Sequence, residues 1–342
     1  MPAKASVNPH LSLPELLKNL QDALRQPRPL GAWMLTGQQV LFFLALLVCL
    51  SPAGSPPLAL VLGLLVALVV GNPFPAQSKR YTTRLLQWSV IGLGFGLNAQ
   101  QALQAGQEGL VFSVASICGT LLLGWLLGRW LGIDGRISHL IASGTAICGG
   151  SAIAAVGPVL RAGEGQMSVA LGTVFILNSV ALFLFPAVGH ALQLSQHQFG
   201  LWAAIAIHDT SSVVGAASQY GDEALRIATT VKLARALWII PVALGTALLF
   251  KTPGAKVALP WFILGFVGAM LLNTYVPALQ PVAPVVVALA KVGLTLTLFL
   301  IGAGLSGTVL RSVGFRPFVQ GVLLWAVVSS VSLWAILEMV KL

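Results

Sequence analysis

Long apolar stretches alternate with short polar gaps from residue 33 to the end of this chain. Reading apolar runs against Gly, Pro and charged breakers gives eleven segments: 33–50, 58–71, 85–101, 110–128, 137–160, 167–189, 198–219, 224–250, 259–275, 284–306 and 317–340. A helix crosses the hydrocarbon core of a bilayer with about 20 predominantly apolar residues, so the pattern predicts an all-α polytopic membrane protein. Two segments are interrupted. Residues 143–155 put Ser143, Gly144, Thr145, Cys148, Gly149, Gly150 and Ser151 where the middle of a membrane helix should be. Residues 205–217 repeat the idea with His208, Asp209, Thr210, Ser211 and Ser212. Lipid cannot satisfy backbone groups that leave a helix, so broken backbone at this depth must be buried in protein or line a cavity. Transporters build substrate sites from such interruptions.

The chain also repeats internally. Gly94-Phe95-Gly96-Leu97-Asn98, followed by Gly106, matches Gly302-Ala303-Gly304-Leu305-Ser306, followed by Gly314, at a constant offset of 208 (Gly94 to Gly302). A weaker similarity links 147–189 to 207–245 through the two breaks and Pro186 and Pro241. These matches predict an inverted-repeat secondary transporter, with repeats over about 58–190 and 198–340. If all eleven segments span, 137–160 and 198–219 run parallel and the inversion fails. If both are re-entrant hairpins from opposite sides, every repeat pair becomes antiparallel. Nine spans with two hairpins meeting near the midplane is therefore favoured over eleven spans.

Charge supplies orientation. Basic residues gather in the tail (Lys4, Lys18, Arg25, Arg28) and in alternate gaps (Lys79, Arg80, Arg84; Arg129, Arg136; Lys251, Lys256; Arg311, Arg316), and the hairpin arrangement adds Arg161 to that side. The positive-inside rule makes it cytoplasmic, with the N-terminus inside and the C-terminus outside. Only 8% of the 342 residues are charged, against about 25% in a soluble domain. The net charge of +10 thus reports topology, and no nucleic-acid partner is expected. Residues 1–32 are too polar for a signal peptide. Leu13, Leu16, Leu17, Leu20 and Leu24 at helical spacing, behind a Ser12/Glu15 capping box, predict a cytoplasmic amphipathic segment ahead of a transmembrane domain at 33–342. Cys49, Cys118 and Cys148 lie in apolar segments without metal or disulfide spacing, so no cofactor or metal is expected.

Several residues could carry chemistry. A half-helix beginning at Gly149-Gly150-Ser151 would turn its free N–H groups inward as an anion site. Thr210, Ser211 and Ser212 would do the same with added hydroxyls. Thr145 and Cys148 flank the first break, Cys148 as a small packing residue. Ionisable groups at membrane depth are costly and usually face a cavity. Lys232 and Arg235 share one helical face, and Asp209 is placed to pair with Arg235. One acid against two bases leaves a net positive site suited to an anion, with Asp209, joined by His208, as the ion- or proton-coupling group. Asn178 can hydrogen-bond a tip or the ligand. Lys291 lies near a helix end, where it can snorkel.

Gly144-Thr145-Ala146-Ile147-Cys148-Gly149-Gly150-Ser151-Ala152, His208-Asp209-Thr210-Ser211-Ser212, Lys232-Leu233-Ala234-Arg235 and Leu259-Pro260-Trp261-Phe262 resemble the YeiH family. The resemblance runs from about residue 35 onward. It implies a multi-pass bacterial inner-membrane protein of the group labelled sulfate exporters, distantly similar to bile-acid-symporter and sodium–proton-antiporter folds. Family members often carry Glu after the histidine, where this chain has the shorter Asp209. The expected function is export of a small anion, sulfate or a related sulfur oxyanion, coupled to a proton or sodium ion. The partners are that anion and the lipid bilayer, with a homodimer open to it. A sodium–proton antiporter-like cation exchanger and a passive anion channel or sensor remain alternatives. An enzyme is not expected, since no metal-hydrolase or nucleophile motif is present.

Overall fold

The structure, a computed structural model, describes residues 19, 21–24, 27–30, 33–51, 54–250, 261–305 and 313–339. Most of the predicted amphipathic tail, Lys251, Lys256, Ser306 and Arg311 fall outside the described residues. Two short strands, β1 (Pro27–Leu30) and β2 (Trp33–Thr36), pair antiparallel, so the first apolar helix starts at Gly37 rather than at 33. The helices are α1 (Gly37–Leu50), α2 (Pro56–Leu65, ending in a π turn to Val70), α3 (Pro75–Gly94), α4 (Ala99–Trp130), α5 (Gly135–Ala146), α6 (Gly150–Val159) and α7 (Glu164–Ala191). There follow α8 (Gln196–Ala206), α9 (Thr210–Tyr220), α10 (Asp222–Ala236), α11 (Ile239–Leu249), α12 (Trp261–Tyr275), α13 (Ala283–Gly304) and α14 (Phe315–Met339). Five stretches among the described residues are long and apolar enough to cross a membrane: Ser113–Trp130, Glu164–Ala191, Asp222–Leu249, Ala283–Gly304 and Phe315–Met339. Trp88, Trp125, Leu248, Leu249 and Trp334 are more than half exposed, as a lipid-facing surface requires.

Both interrupted segments fold back on themselves. At the mouth of the first, Gln166 Nε2 donates to Asp134 Oδ1 (3.0 Å) and Arg136 Nη1 to the Arg161 carbonyl (3.4 Å). Residues before α5 and after α6 therefore lie side by side. Gly144 and Ile153 close the arms, since a methyl at Gly144 would lie 2.9 Å from Ile153 Cδ1. At the mouth of the second, Tyr220 donates its hydroxyl to the Leu194 carbonyl (2.7 Å) and Gln196 Oε1 accepts the Glu223 amide (3.0 Å). Arms of 10 to 12 residues reach about 15–18 Å, half the hydrocarbon thickness.

The hairpins enter from opposite ends of the bundle. The α10–α11 stretch starts at Asp222, at the second mouth. It passes both tips and ends at Phe250, whose ring lies 5.3 Å from that of His139 near the first mouth. Pro241 has no N–H for the Leu237 carbonyl, and the helix is interrupted at Leu237 and Trp238 between α10 and α11. Helix α7 runs the opposite way, from Gln166 at the first mouth to His190, stacked on Tyr220 at 4.4 Å, at the second. The outer helices pack reciprocally. α3 crosses α12 at Gly94, where a side chain would strike the Phe266 carbonyl. α13 crosses α2 at Gly302, where it would strike the Leu60 carbonyl. Small residues permit such close crossings in membranes, where no hydrophobic force drives helices together.

Candidate functional site

The two hairpin tips touch. Helix α5 ends at Ala146, and the chain turns through Ile147, Cys148 and Gly149. Gly149 adopts φ +67°, ψ −124°, a region closed to residues with a Cβ, and a methyl there would lie 3.3 Å from Asp209 Cα. In the second tip α8 ends at Ala206, and Ile207 and His208 lead to Asp209, the N-cap of α9. Asp209 Oδ2 accepts the amides of Ser211 (3.1 Å) and Ser212 (3.2 Å) and the Ser211 hydroxyl. Asn178, from the middle of α7, holds this turn by accepting the amides of His208 (3.1 Å) and Asp209 (3.3 Å).

Both cations of α10 point into the breaks and are 0% exposed, as is His208; Asp209 is 5% exposed. Lys232 Nζ donates to the carbonyls of Ile207 (2.7 Å) and Ala204 (3.3 Å), at the C-terminal end of α8. Arg235 Nη2 donates to the Ala146 carbonyl, at the C-terminal end of α5. Each break creates one C-terminal and one N-terminal helix end, carrying partial charges of about −0.5 and +0.5. Lys232 and Arg235 neutralise the two negative ends, and Asp209 neutralises the positive end of α9. The N-terminus of α6 receives no side-chain cap.

The sequence-nominated residues come together, with two corrections. Among the described residues no ion pair joins Asp209 to Arg235: the carboxylate is turned onto its own helix N-terminus while the guanidinium serves the other tip. Lys232, expected as an anion ligand, is committed to two carbonyls. Thr145 ends α5, Cys148 is buried in the first tip, and half-buried Gly150 and Ser151 open α6. Thr210, Ser211 and Ser212 form the buried first turn of α9. The sequence reading named Ser143 only as part of the first break and did not name Thr230. Their hydroxyls, with Thr145 Oγ1, Asn178 Nδ2, both His208 ring nitrogens and Arg235 Nε and Nη1, are buried without hydrogen-bond partners. Hydroxyl spacing within one turn (Ser143, Thr145) was the available signal.

A cavity of about 400 Å³ opens at the second mouth, lined by Leu93, Leu97, Asp222, Arg226, Thr229 and Lys291 among others. Its deepest α10 residue, Thr229, is one helical turn before Lys232. Lys291, which could have snorkelled to a membrane interface, instead pairs with Asp222 at 3.3 Å across this cavity. It also lines a neighbouring space of about 240 Å³ beside Ser51, Gly215 and Thr295. Among the described residues no group of three His, Cys, Asp or Glu is placed to hold a metal ion.

Comparison with known proteins places these features in a family. The family described as Conserved hypothetical protein 698 matches residues 35–321. A UPF0324 membrane protein of Bacteroides thetaiotaomicron is 58% identical over 80% of this chain and 84% of its own length. One of Porphyromonas gingivalis is 56% identical over 83% of this chain and 87% of its own length. UPF0324 membrane protein Bd1437 of Bdellovibrio bacteriovorus is 53% identical over 87% and 94%. No solved structure matches the chain. YeiH and UPF0324 are one family, and the chain belongs to this UPF0324 family of membrane proteins.

Proposed function

We propose that this protein is a secondary transporter of a small anion, with its site where the two hairpin tips meet. The observation that carries the reading is the burial of two cations beside a single carboxylate at that point. Isolated charges away from water cost several kcal/mol each in real proteins, and intramembrane ionisable groups usually mark a substrate or ion path. Open N–H groups on Arg235 suit an oxyanion, which a guanidinium binds through several directed donors. The cavity running from the second mouth down α10 supplies access from one end of the bundle. Reciprocal packing of α3 on α12 and of α13 on α2 supports two inverted repeats that rock about the tips, giving access from the other end in turn. The resemblance of the motifs to the YeiH group makes sulfate or another sulfur oxyanion the first candidate, moved outward across the bacterial inner membrane and coupled to a proton. The basic end, with Arg129, Arg136, Arg161 and Arg316, faces the cytoplasm in this reading.

The test is uptake of labelled sulfate, nitrate and formate into proteoliposomes under an imposed pH gradient. Accumulation above equilibrium, lost in Arg235→Ala, is expected for at least one of them. Equilibration without accumulation would indicate a passive channel. Uptake no faster than in empty vesicles for every anion would overturn the reading.

A further inference from the structure

The charges at the tips are countable, and the count restricts the substrate. Two C-terminal and two N-terminal helix ends cancel. With Lys232 and Arg235 protonated and Asp209 ionised, these buried side chains sum to a single positive charge. We infer that the site accepts one net negative charge: a monovalent anion alone, or a divalent anion accompanied by one proton that His208 takes. The inference rests on the anion-transport reading and specifies its substrate class and coupling group.

Position follows from what is already occupied. Lys232 and Asp209 are already engaged at helix ends. The remaining positive end is the N-terminus of α6, a helix of 10 residues whose first turn has no side-chain cap. A second feature converges on it. The Arg235 guanidinium is fixed at the same break by the Ala146 carbonyl, with Nε and Nη1 buried and unpartnered, and Thr145, the residue before Ala146, has a buried, unpartnered hydroxyl. Main-chain N–H groups, a guanidinium and a hydroxyl are the donors an oxyanion requires.

His208 is the group able to take the extra proton. Both its ring nitrogens are buried without partners, whereas Asp209 Oδ2 already accepts three hydrogen bonds at the N-terminus of α9. The charged groups around His208 are Asp209 on its own turn and Lys232 and Arg235 on α10. Cys148 comes from the facing tip, and α7 brings the uncharged Asn178. Helices α13 and α14 also pack on this hairpin, and their charged described residues, Lys291, Arg316 and Glu338, lie at exposed positions. With two cations close by, an imidazolium there is favoured only when a second negative charge arrives. Anion and proton then bind together by linkage.

The experiment is ligand-induced thermal stabilisation of the purified full-length protein, titrated with nitrate and with sulfate from about pH 5.5 to 8, where histidine titrates and neither anion does. Nitrate affinity should stay within about twofold across the range, while sulfate affinity should fall about tenfold per pH unit, the slope for one linked proton. In His208→Gln, nitrate binding should persist, and sulfate binding should be weak and flat. Equal pH slopes for the two anions in the parent protein would refute the charge count while leaving anion transport standing. A steep sulfate slope surviving in His208→Gln would refute the assignment to His208. Stabilisation by neither anion would overturn the inference together with the anion reading beneath it.

Discussion

Replacing Gly149 with alanine isolates the contact between the two tips. The substitution adds one methyl and no charge, yet meets two obstacles. The backbone stands at φ +67°, ψ −124°, and forcing a residue with a Cβ into such a region costs about 1–3 kcal/mol. The methyl would also sit 3.3 Å from Asp209 Cα and 3.4 Å from its Cβ and N, so the second tip must withdraw by a few tenths of an ångström. That tip is held by Asn178 and Lys232 and does not yield freely. A loss of about 2–3 kcal/mol is expected. Gly150→Ala is the matched control. Its backbone is helical, its methyl would meet the Phe175 ring edge at 3.1 and 3.3 Å and Leu171 Cδ2 at 3.5 Å, and these side-chain ends can shift. Alanine is favoured over glycine inside a helix by about 1 kcal/mol, so Gly150→Ala should be nearly neutral. Reversible unfolding of both variants in mixed SDS micelles reads the difference, and anion-induced stabilisation reads whether the tips still meet. Equal stabilities for the two variants would refute the contact.

Three further outcomes follow from the same geometry. Single cysteines at Gly135 and Gly163 should be labelled from one face of the membrane, and those at Leu192 and Glu223 from the other; labelling 135 and 163 from opposite faces would restore eleven spans. Lys232→Met strands the Ala204 and Ile207 carbonyls and should destabilise the protein by about 2 kcal/mol with or without anion, which an unchanged denaturation midpoint would contradict. Asp209→Asn keeps an amide oxygen able to cap α9 and raises the net charge of the site by one. It should therefore lose little stability and bind sulfate tightly even at alkaline pH, and weak alkaline binding would count against the charge count.

The breaks were legible because membrane helices rarely gather Gly, Ser, Thr and Cys at mid-span, and the internal matches favoured hairpins there over spans. Segment ends were less legible. Lys79, Arg80 and Arg84 set the predicted start of the third segment at 85, whereas α3 begins at Pro75, since a helix continues beyond the lipid wherever backbone bonds permit. The β1–β2 pair carried no alternating pattern distinct from the apolar run after it. At the site, the residues were found but their partners were not. Helical spacing put Lys232 and Arg235 on one face, and the acid expected at the same membrane depth was Asp209. What a carboxylate or ammonium does at a helix break depends on whether a free N–H or a free C=O end is closer. Here Asp209 is an N-cap by its place in the sequence, ahead of Thr210-Ser211-Ser212, and that local bond displaces a long-range ion pair.

In the proposed transporter the two cations would also tie binding to motion. A hairpin tip stripped of helix at mid-span carries orphan carbonyls that lipid cannot satisfy. Lys232 reaches the second tip and Arg235 the first, and both rise from α10 only three residues apart. One helix therefore holds both tips, with the interruption at Leu237 and Trp238 just beyond. Any rocking of one hairpin against the other must break a bond on one cation or carry α10 along with it. An anion seated on the open donors of Arg235 weakens that residue's hold on Ala146 by competing for the same charge. On that proposal, binding and tip separation would be two consequences of one guanidinium, the differential interaction with two states that alternating access requires.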